Sequence, residues 1–408
     1  MWRLRWFAPL LLLLAGCAVP GLECDDPLGC IVVGPNDPIV LATLLDTTGP
    51  AAALSDEVAQ GIALALADRG DTLLEHPLSL RAFDAGCSAA RGEAAGQEIA
   101  NIEEVIGVLG TICTESAVAA LLPIAAAGGV LVSPVNTDPA LTHTAVFPAP
   151  AYFRTIPDHT RQAVLMAQYA TEVLEAKTAV ILYDNSPYSE SLRAAFRDAF
   201  LQNGGAVSLQ TRLDSAVQME DALQLTVRAA PDVLYIPIFE ADATTVLGLM
   251  RDNAALATTQ VLGSDSLLLP SFPQGAGTAV DGMVISGLAV RGDAGGDAYE
   301  AFLLRWQQEY GTLPDTPYAA FAYDAADLLL TAVAASAQVG NNGALLIGRQ
   351  ALREMLLQMA DFPGLTGPLT CTQTGDCASD HSLVIFHLSD TEQPGAAWPP
   401  PIVWPQGE

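Results

Sequence analysis

Side chains suited to binding a small charged solute stand directly after several strand-like runs of the sequence. Thr114 and Ser116 follow one apolar run, Thr137 follows the next, and Asp265 follows a much later one. In open α/β sheets, ligands bind beyond the carboxyl ends of the strands, which is where these residues fall. Hydroxyls and free N–H groups at the start of a helix predicted at Ser116 would cradle a carboxylate, and Asp265 could pair with an ammonium. The combination predicts a site for a zwitterion.

Ordinary structural roles are also open to these residue types. Ser116 and Ser133 are suited to capping a helix or forming a turn, which such residues do more often than they bind ligands. Asp265 taken alone is a common turn residue, and Tyr188 and Tyr318 would serve equally well as partly buried aromatics. The functional interpretation therefore depends on the whole set meeting in one crevice.

Catalytic motifs are absent from the sequence. It contains no G-x-S-x-G, no Walker A motif, no H-E-x-x-H and no G-x-G-x-x-G that opens a helix. The 46 acidic residues make chance carboxylate pairs unavoidable, so such pairs carry no weight. We expect a protein that is not an enzyme and has no cofactor.

Charge and hydropathy exclude two further classes of protein. The 408 residues include 17 Lys+Arg against 46 Asp+Glu, for a formal net charge of -29, and Lys177 is the single lysine. Such a surface repels phosphate backbones, which excludes nucleic acid as a partner. Although 51% of residues are hydrophobic, no apolar run beyond the N-terminus reaches the roughly 18 to 20 residues that span a bilayer.

The N-terminus has the pattern of an export signal. Arg3 and Arg5 precede an apolar stretch at residues 7–15, and Leu14-Ala15-Gly16-Cys17 resembles the bacterial lipobox. The resemblance implies a signal peptide at residues 1–16 and lipidation of Cys17. An ordinary secretory signal with an incidental cysteine is the alternative. Both interpretations predict export, and the first predicts a lipoprotein on the periplasmic or outer face of a membrane.

Export permits disulfides, and the seven cysteines divide without an odd thiol once Cys17 is lipidated. A zinc site is the weaker alternative, because the spacing does not suit paired knuckles and no histidine lies beside a cysteine pair. We therefore predict no metal. The expected disulfides are Cys24 with Cys30, Cys87 with Cys113, and Cys371 with Cys377.

Strand-like and helical patterns alternate from residue 39 onward, which predicts mostly parallel sheets covered by helices on both faces. The alternation pauses near residues 148–152 and restarts, so a second lobe of the same kind follows the first. The segments after about residue 282 fit neither lobe alone, and we expect the chain to cross between the lobes again.

Several short motifs occur along the chain in a fixed order, and together they are far more specific than any one alone. They are Leu45-Asp46-Thr47-Thr48-Gly49-Pro50, Gly61-Ile62-Ala63-Leu64-Ala65, Val105-Ile106-Gly107-Val108-Leu109-Gly110, Ser133-Pro134, Pro139-Ala140-Leu141-Thr142, Phe153-Arg154-Thr155, and Tyr183-Asp184-Asn185-Ser186-Pro187-Tyr188. With these motifs, the sequence resembles the type I periplasmic binding proteins of branched-chain amino acid ABC importers, the leucine/isoleucine/valine-binding group. The resemblance covers about residues 39–390.

The resemblance implies a ligand cleft between the two lobes and again pairs Cys87 with Cys113. The residue after the second of these cysteines would supply a hydroxyl, and the segment after Ser133-Pro134 would offer backbone groups and a threonine to a ligand carboxylate. An acidic residue would bind the ammonium, and aromatic side chains would line the cleft. The implied ligand-binding residues are Thr114, Val135, Asn136, Thr137, Tyr188, Phe239, Asp265 and Tyr318.

Three positions depart from the family's pattern. Glu115 stands where a small hydroxyl residue is frequent, and a carboxylate there would repel a bound carboxylate unless it points away. Leu54 replaces an aromatic residue near the first loop, and Asn136 is larger and more polar than the usual residue.

The expected fold is two Rossmann-like α/β lobes with parallel-core sheets, joined by a multi-strand hinge. The predicted divisions are a signal peptide at 1–16, a tether at 17–38, lobe 1 at 39–153 plus 287–365, lobe 2 at 154–286 plus 366–390, and a Pro-rich tail at 391–408.

The predicted function is that of a monomeric, lipid-anchored solute-binding protein. It would close like a clamshell on a small amino-acid-like ligand and deliver that ligand to an ABC permease. A receptor that reports the ligand to a signalling partner is the alternative.

Overall fold

The fold is described from a computed structural model, which covers residues 22–48, 51–143, 150–213, 215–251, 253–290, 292–388 and 399–405. The predicted signal peptide at 1–16 and the predicted lipidation site at Cys17 lie outside these ranges. So does most of the predicted tail at 391–408.

Strands and helices alternate along most of the chain. The strands are β1 (Cys30–Val33), β2 (Ile39–Leu45), β3 (Thr72–Leu73), β4 (His76–Asp84), β5 (Val105–Gly110), β6 (Leu131–Ser133), β7 (Tyr152–Arg154), β8 (Thr178–Tyr183), β9 (Ala206–Arg212), β10 (Val233–Ile236), β11 (Gln260–Gly263), β12 (Val284–Leu288), β13 (Ala337–Val339), β14 (Leu345–Gly348), β15 (Phe362–Gly364), β16 (Gly367–Leu369), β17 (Leu383–His387) and β18 (Ile402–Trp404).

The helices lie between these strands and cover the sheets. They are α1 (Ala52–Asp68), α2 (Ala89–Ala100), α3 (Thr114–Ala126), α4 (Ala140–His143), α5 (His159–Glu172), α6 (Pro187–Gln202), α7 (Ala216–Ala229), α8 (Glu240–Arg251), α9 (Ser271–Ala276), α10 (Gly292–Tyr310), α11 (Tyr318–Ser336) and α12 (Arg349–Leu357). Several begin at a side-chain cap: Ser88, Asp158, Ser186 and Ser215 each accept a hydrogen bond from an N–H of the first turn.

Each lobe is built on one large sheet. The lobe 1 sheet has the order β3-β4-β2-β5-β6-β7, and all pairs except β3 with β4 are parallel. The lobe 2 sheet has the order β18-β17-β12-β11-β10-β8-β9, with β17 and β18 antiparallel at one side. Helices on both faces bury the central strands, and every residue of β2 is buried. The structure therefore confirms the predicted class of two α/β lobes with parallel-core sheets.

The chain passes between the lobes after β7, after β12 and before β17. Helices α11 and α12 return to lobe 1, where Leu329, Leu352 and Leu356 share a hydrophobic core with residues of β2 and β5. Strand β17 then returns to lobe 2 and pairs with β12.

Three predicted boundaries differ from the structure. The tether at 17–38 contains β1, which pairs with β14 and buries Ile31 and Val33 in the lobe 1 core. The region 366–390 does not lie wholly in lobe 2, because Leu369 and the Cys371–Cys377 disulfide are also buried in the lobe 1 core. The tail at 391–408 contains β18, which pairs with β17. In each case a short apolar segment pairs with a strand or packs in a core that is formed by distant parts of the chain. The local composition of the segment does not indicate this contact.

Helix α11 is the one helix of the described ranges that is long and apolar enough to cross a membrane by length and composition. Two thirds of it is buried inside the protein, and it packs against α1. It is a core helix of lobe 1.

A buried arginine joins two of the interlobe crossings. Arg154 ends β7 at the first crossing, and its guanidinium donates to Asp376 Oδ2 at 2.7 Å in the segment that leads to the third crossing. The same guanidinium donates to the carbonyl of Asp138 at 2.8 Å and to Thr142 Oγ1 at 2.9 Å. The Arg154 side chain is fully buried, so each of these contacts is shielded from water.

We expect Arg154→Gln to lower the free energy of unfolding by about 3–5 kcal/mol, because Asp376 would remain largely buried with only the more distant guanidinium of Arg161, at 3.5 Å, as a charged partner. Urea-induced unfolding measures this. Arg81→Gln is the matched control: Arg81 pairs with Glu104 on the surface, where both side chains are about half exposed, and its loss should cost less than about 1 kcal/mol. Equal losses in the two variants would contradict the structural importance of the Arg154 pair.

A buried carboxyl on α11 fixes the β15–β16 hairpin. Asp324 accepts hydrogen bonds from the N–H of Leu365 at 2.7 Å and from the N–H and hydroxyl of Thr366 at 2.9 and 2.6 Å. Burial raises the pKa of Asp324 to about 7, although these hydrogen bonds oppose the shift.

Asp324 is therefore expected to make stability depend on pH. A pKa that is higher in the folded than in the unfolded chain means that folding takes up a proton, so the stability it contributes is complete at low pH and lost as the pH rises through about 7. Unfolding free energies of the wild type and Asp324→Asn, measured from pH 5 to pH 8, should show a steeper fall for the wild type. Parallel curves would contradict this assignment.

Candidate ligand-binding site

On the lobe 1 side, the loops after β5 and β6 are held together by one buried amide. Asn136 Oδ1 accepts from Thr111 Oγ1 at 2.7 Å and from Ser133 Oγ at 2.9 Å, and Asn136 Nδ2 donates to the carbonyl of Ile112 at 2.8 Å. Asn136 is only 1% exposed. Its side chain fixes the relative position of the two loops and does not face the cleft, which accounts for the larger, more polar residue at this position.

The backbone N–H groups after the Ser133-Pro134 turn are also used inside the loop. The N–H groups of Val135 and Asn136 both donate to Ser133 Oγ, at 3.3 and 3.0 Å. These two N–H groups, which were predicted to donate to a ligand, therefore stabilise the conformation of the loop. Thr137, the next residue, is half-buried, and its hydroxyl has no hydrogen-bond partner within the described ranges.

The second lobe 1 element is the start of α3. Thr114 is its first residue and is half-buried, and its hydroxyl likewise has no hydrogen-bond partner in the described part of the chain. Ser116 is buried and donates to the carbonyl of Cys113 at 2.9 Å, so it has the structural role that was open to it. Glu115 is exposed to solvent, which screens its charge.

Disulfides join all three predicted cysteine pairs, and one of them adjoins this helix. The Cys87–Cys113 disulfide connects the loop after β4 to the residue before α3. Asp46, which follows β2, is fully buried beside it and accepts a hydrogen bond from the N–H of Cys87. These three side chains are close enough together to suggest a metal site, but the disulfide removes the two thiolates that such a site needs. The other two disulfides are Cys24–Cys30 and Cys371–Cys377.

On the lobe 2 side, Asp265 begins a short 3-10 turn directly after β11. Its Oδ1 accepts hydrogen bonds from Gln162 Nε2 at 2.7 Å and from the hydroxyl of Tyr188. Burial and the negative charge of Asp265 raise the pKa of Tyr188 well above its usual value, so the hydroxyl keeps its proton and donates. No described residue donates to the second oxygen, Oδ2.

The tyrosine that donates to this carboxylate lies beside two further aromatic rings. The Tyr188 ring lies 5.1 Å from the ring of His159 and 5.6 Å from that of Phe239, which is 50% exposed. Tyr318, the first residue of α11, approaches from lobe 1: burial and the charge of Asp265 raise its pKa.

His159 connects the two halves of the site. Its N–H donates to the carbonyl of Thr137 at 2.9 Å, and its Nε2 lies 2.6 Å from Ser191 Oγ. Burial lowers the pKa of His159, which favours a neutral ring. Contacts therefore run without a break from Thr137 through His159 and Tyr188 to Asp265.

The predicted residues thus divide into two groups, one on each lobe. Thr114 and Thr137 lie in lobe 1, and neither hydroxyl has a hydrogen-bond partner among the described residues. Asp265 lies in lobe 2, where its Oδ2 receives no hydrogen bond from a described residue. The sequence did not reveal Gln162, His159 or Ser191, whose roles depend on neighbours that lie far away in the chain. The start of α5, where Asp158 caps a helix that follows β7, was the only local signal near them.

Known proteins with the same architecture can now be compared. A leucine/isoleucine/valine-binding protein homologue of Brucella melitensis is 23% identical over 360 residues, which are 86% of this chain and 92% of that protein. A substrate-binding protein of an ABC transporter from Desulfitobacterium hafniense, solved in complex with Leu, has a TM-score of 0.70 and 22% identity over 86% of this chain and 98% of its own. A solute-binding protein from R. palustris, solved with benzoate, has a TM-score of 0.63 and 19% identity. The match covers 87% of this chain and 94% of that protein.

The family model described as periplasmic binding protein matches residues 38–392, nearly the whole of both lobes. The family and these relatives are substrate-binding proteins, not enzymes. The chain belongs to the periplasmic binding protein family.

Proposed function

We propose that this protein captures a small amino-acid-like zwitterion between its lobes. The observation that carries the proposal is Asp265, whose carboxylate is fixed by two donors on one oxygen and keeps the other oxygen for a ligand ammonium. The hydroxyls of Thr114 and Thr137, with the free N–H groups at the start of α3, would receive the carboxylate, helped by the helix dipole.

The expected affinity follows from these groups. Hydrogen bonds to charged groups contribute about 1.5–3 kcal/mol each, and micromolar binding requires about -8.2 kcal/mol. A few such bonds, together with contact between an apolar ligand side chain and the rings of Tyr188 and Phe239, would suffice after the cost of ordering the ligand.

Closure of the lobes would follow from the division of the site. The carboxylate contacts come from lobe 1 and the ammonium contact from lobe 2, so the complete set forms only when the lobes meet. A ligand that interacts with the closed form alone shifts the hinge equilibrium toward it. The closed form would be the one that an ABC permease receives.

The solved relatives hold ligands with and without an amine, so the choice between them rests on Asp265. The Desulfitobacterium protein holds leucine, which has both charged groups, whereas the R. palustris protein holds benzoate, which has no amine. A carboxylate such as Asp265 with an open oxygen suits the first kind of ligand, because an acid without an ammonium would leave it unpaired.

The membrane location that we propose rests on the N-terminal sequence. Cleavage before Cys17 and lipidation of that residue would hold the protein beside its permease, although its acidic surface has no attraction for anionic lipid.

We expect Thr114→Ala and Asp265→Asn each to weaken amino acid binding by about tenfold or more, because each removes about one hydrogen bond to a charged ligand group. Isothermal titration calorimetry with a panel of L-amino acids measures the affinity. Thr258→Ala and Asp221→Asn are the controls, since both residues are exposed and lie outside the site.

Wild-type affinity in both site variants would remove these residues from the site. Failure of the wild type to bind any amino acid of the panel would overturn the proposed function itself.

A further inference from the structure

A glutamine in lobe 2 makes hydrogen bonds with both of its side-chain polar atoms behind the ammonium site. Gln162 lies on α5 and is only 2% exposed. Its Oε1 accepts from the N–H of Asp265 at 3.2 Å and from Ser286 Oγ at 2.9 Å, and its Nε2 donates to Asp265 Oδ1 at 2.7 Å. The amide therefore makes two hydrogen bonds with Asp265, one with its backbone N–H and one with its carboxylate.

These contacts allow only one orientation of the amide. A backbone N–H can only donate, so the atom of Gln162 that faces the N–H of Asp265 is the acceptor Oε1. The donor Nε2 then faces the carboxylate. Ser286 on β12 reinforces the same orientation, because its hydroxyl donates to Oε1.

The consequence for Asp265 is a carboxylate whose two oxygens differ. Oδ1 accepts from Gln162 and from the Tyr188 hydroxyl, while Oδ2 has no donor among the described residues. Rotation of the carboxylate would break two hydrogen bonds at once. Its free oxygen is thus held in one direction before any ligand arrives.

We propose that Gln162 is a positioning residue that determines specificity: by fixing Asp265, it makes the cleft select a solute that carries an ammonium over the same solute without one. This inference rests on the proposed function. It assigns the selection to a residue that does not itself touch the ligand.

The chemistry explains why an amide serves here and a carboxylate would not. Glutamate has the shape of glutamine but presents two acceptors, so it would repel Asp265 unless one of the two carboxyl groups took up a proton. A protonated glutamate, in contrast, would donate to Oδ1 as Nε2 does. A Gln162→Glu variant should therefore regain function as the pH falls.

The experiment measures binding of L-leucine and of its des-amino analogue 4-methylpentanoate by calorimetry between pH 6 and pH 8. The wild type should prefer leucine by about tenfold or more. Gln162→Met should lower the affinity for leucine by about tenfold and change that for 4-methylpentanoate by less than about twofold, because the carboxylate cradle in lobe 1 is untouched.

The pH dependence separates positioning from a merely structural role. Gln162→Glu should bind leucine poorly at pH 8 and recover toward the wild-type affinity at pH 6, relative to the wild type at each pH. The other titratable groups around Asp265 are His159 on α5, Tyr188 on α6, Tyr235 on β10 and Tyr318 on α11, and all of them are unchanged in the variant. Gln224→Glu, an exposed substitution on α7, is the matched control and should show no recovery.

Ser286→Ala provides a second, milder variant if substitutions at Gln162 impair folding. It removes one donor to Oε1 and should reduce the preference for leucine several-fold. An unchanged preference in the Gln162 and Ser286 variants, or equal losses for leucine and its analogue, would overturn the inference. If leucine does not bind, the same comparison uses the panel amino acid that binds best and its des-amino acid; a wild type that binds none of them refutes the proposed function instead.

Discussion

The buried guanidinium of Arg154 is the interaction on which the arrangement of the two lobes most depends. It lies where the chain first leaves lobe 1, and it binds Asp376 in the segment that later returns to lobe 2. It also donates hydrogen bonds to the carbonyl of Asp138 and to the hydroxyl of Thr142, which both lie in the segment after β6. The guanidinium of Arg154 thereby fixes the position of the interlobe crossings relative to the segment after β6. Movement between the lobes would have to occur around this point, because separation of a buried ion pair is costly.

The two halves of the cleft are organised by the same rule. In each lobe, a buried amide makes hydrogen bonds with some of the polar groups near the proposed site. Asn136 accepts hydrogen bonds from the hydroxyls of Thr111 and Ser133, and Gln162 donates one to an oxygen of Asp265. Among the described residues, the hydroxyls of Thr114 and Thr137 and one carboxylate oxygen of Asp265 have no hydrogen-bond partner. The direction of the Asp265 carboxylate is set by its two hydrogen bonds before any ligand binds, which lowers the cost of ordering this group.

The sequence predicted the features that depend on local pattern. Alternating strands and helices gave the fold class, and the rule that ligands bind at the carboxyl ends of strands pointed to Thr114 and Asp265. The contacts between distant segments could not be predicted in the same way. Gln162 and Asp265 are 103 residues apart, and nothing near either one indicates the other. Asn136 was assigned to the ligand by analogy with the family, but its burial gives it a role within the protein.

The late return of the chain to lobe 2 has a consequence for folding. Strand β17 pairs with β12 across a sequence gap of about a hundred residues, and β18 then pairs with β17. Until these strands arrive, β12 has an open edge, which is the kind of surface on which other chains add strands and aggregate. Contacts so distant in sequence also slow the search for the native topology. A chain that has not yet placed β17 is therefore exposed to self-association along the edge of β12.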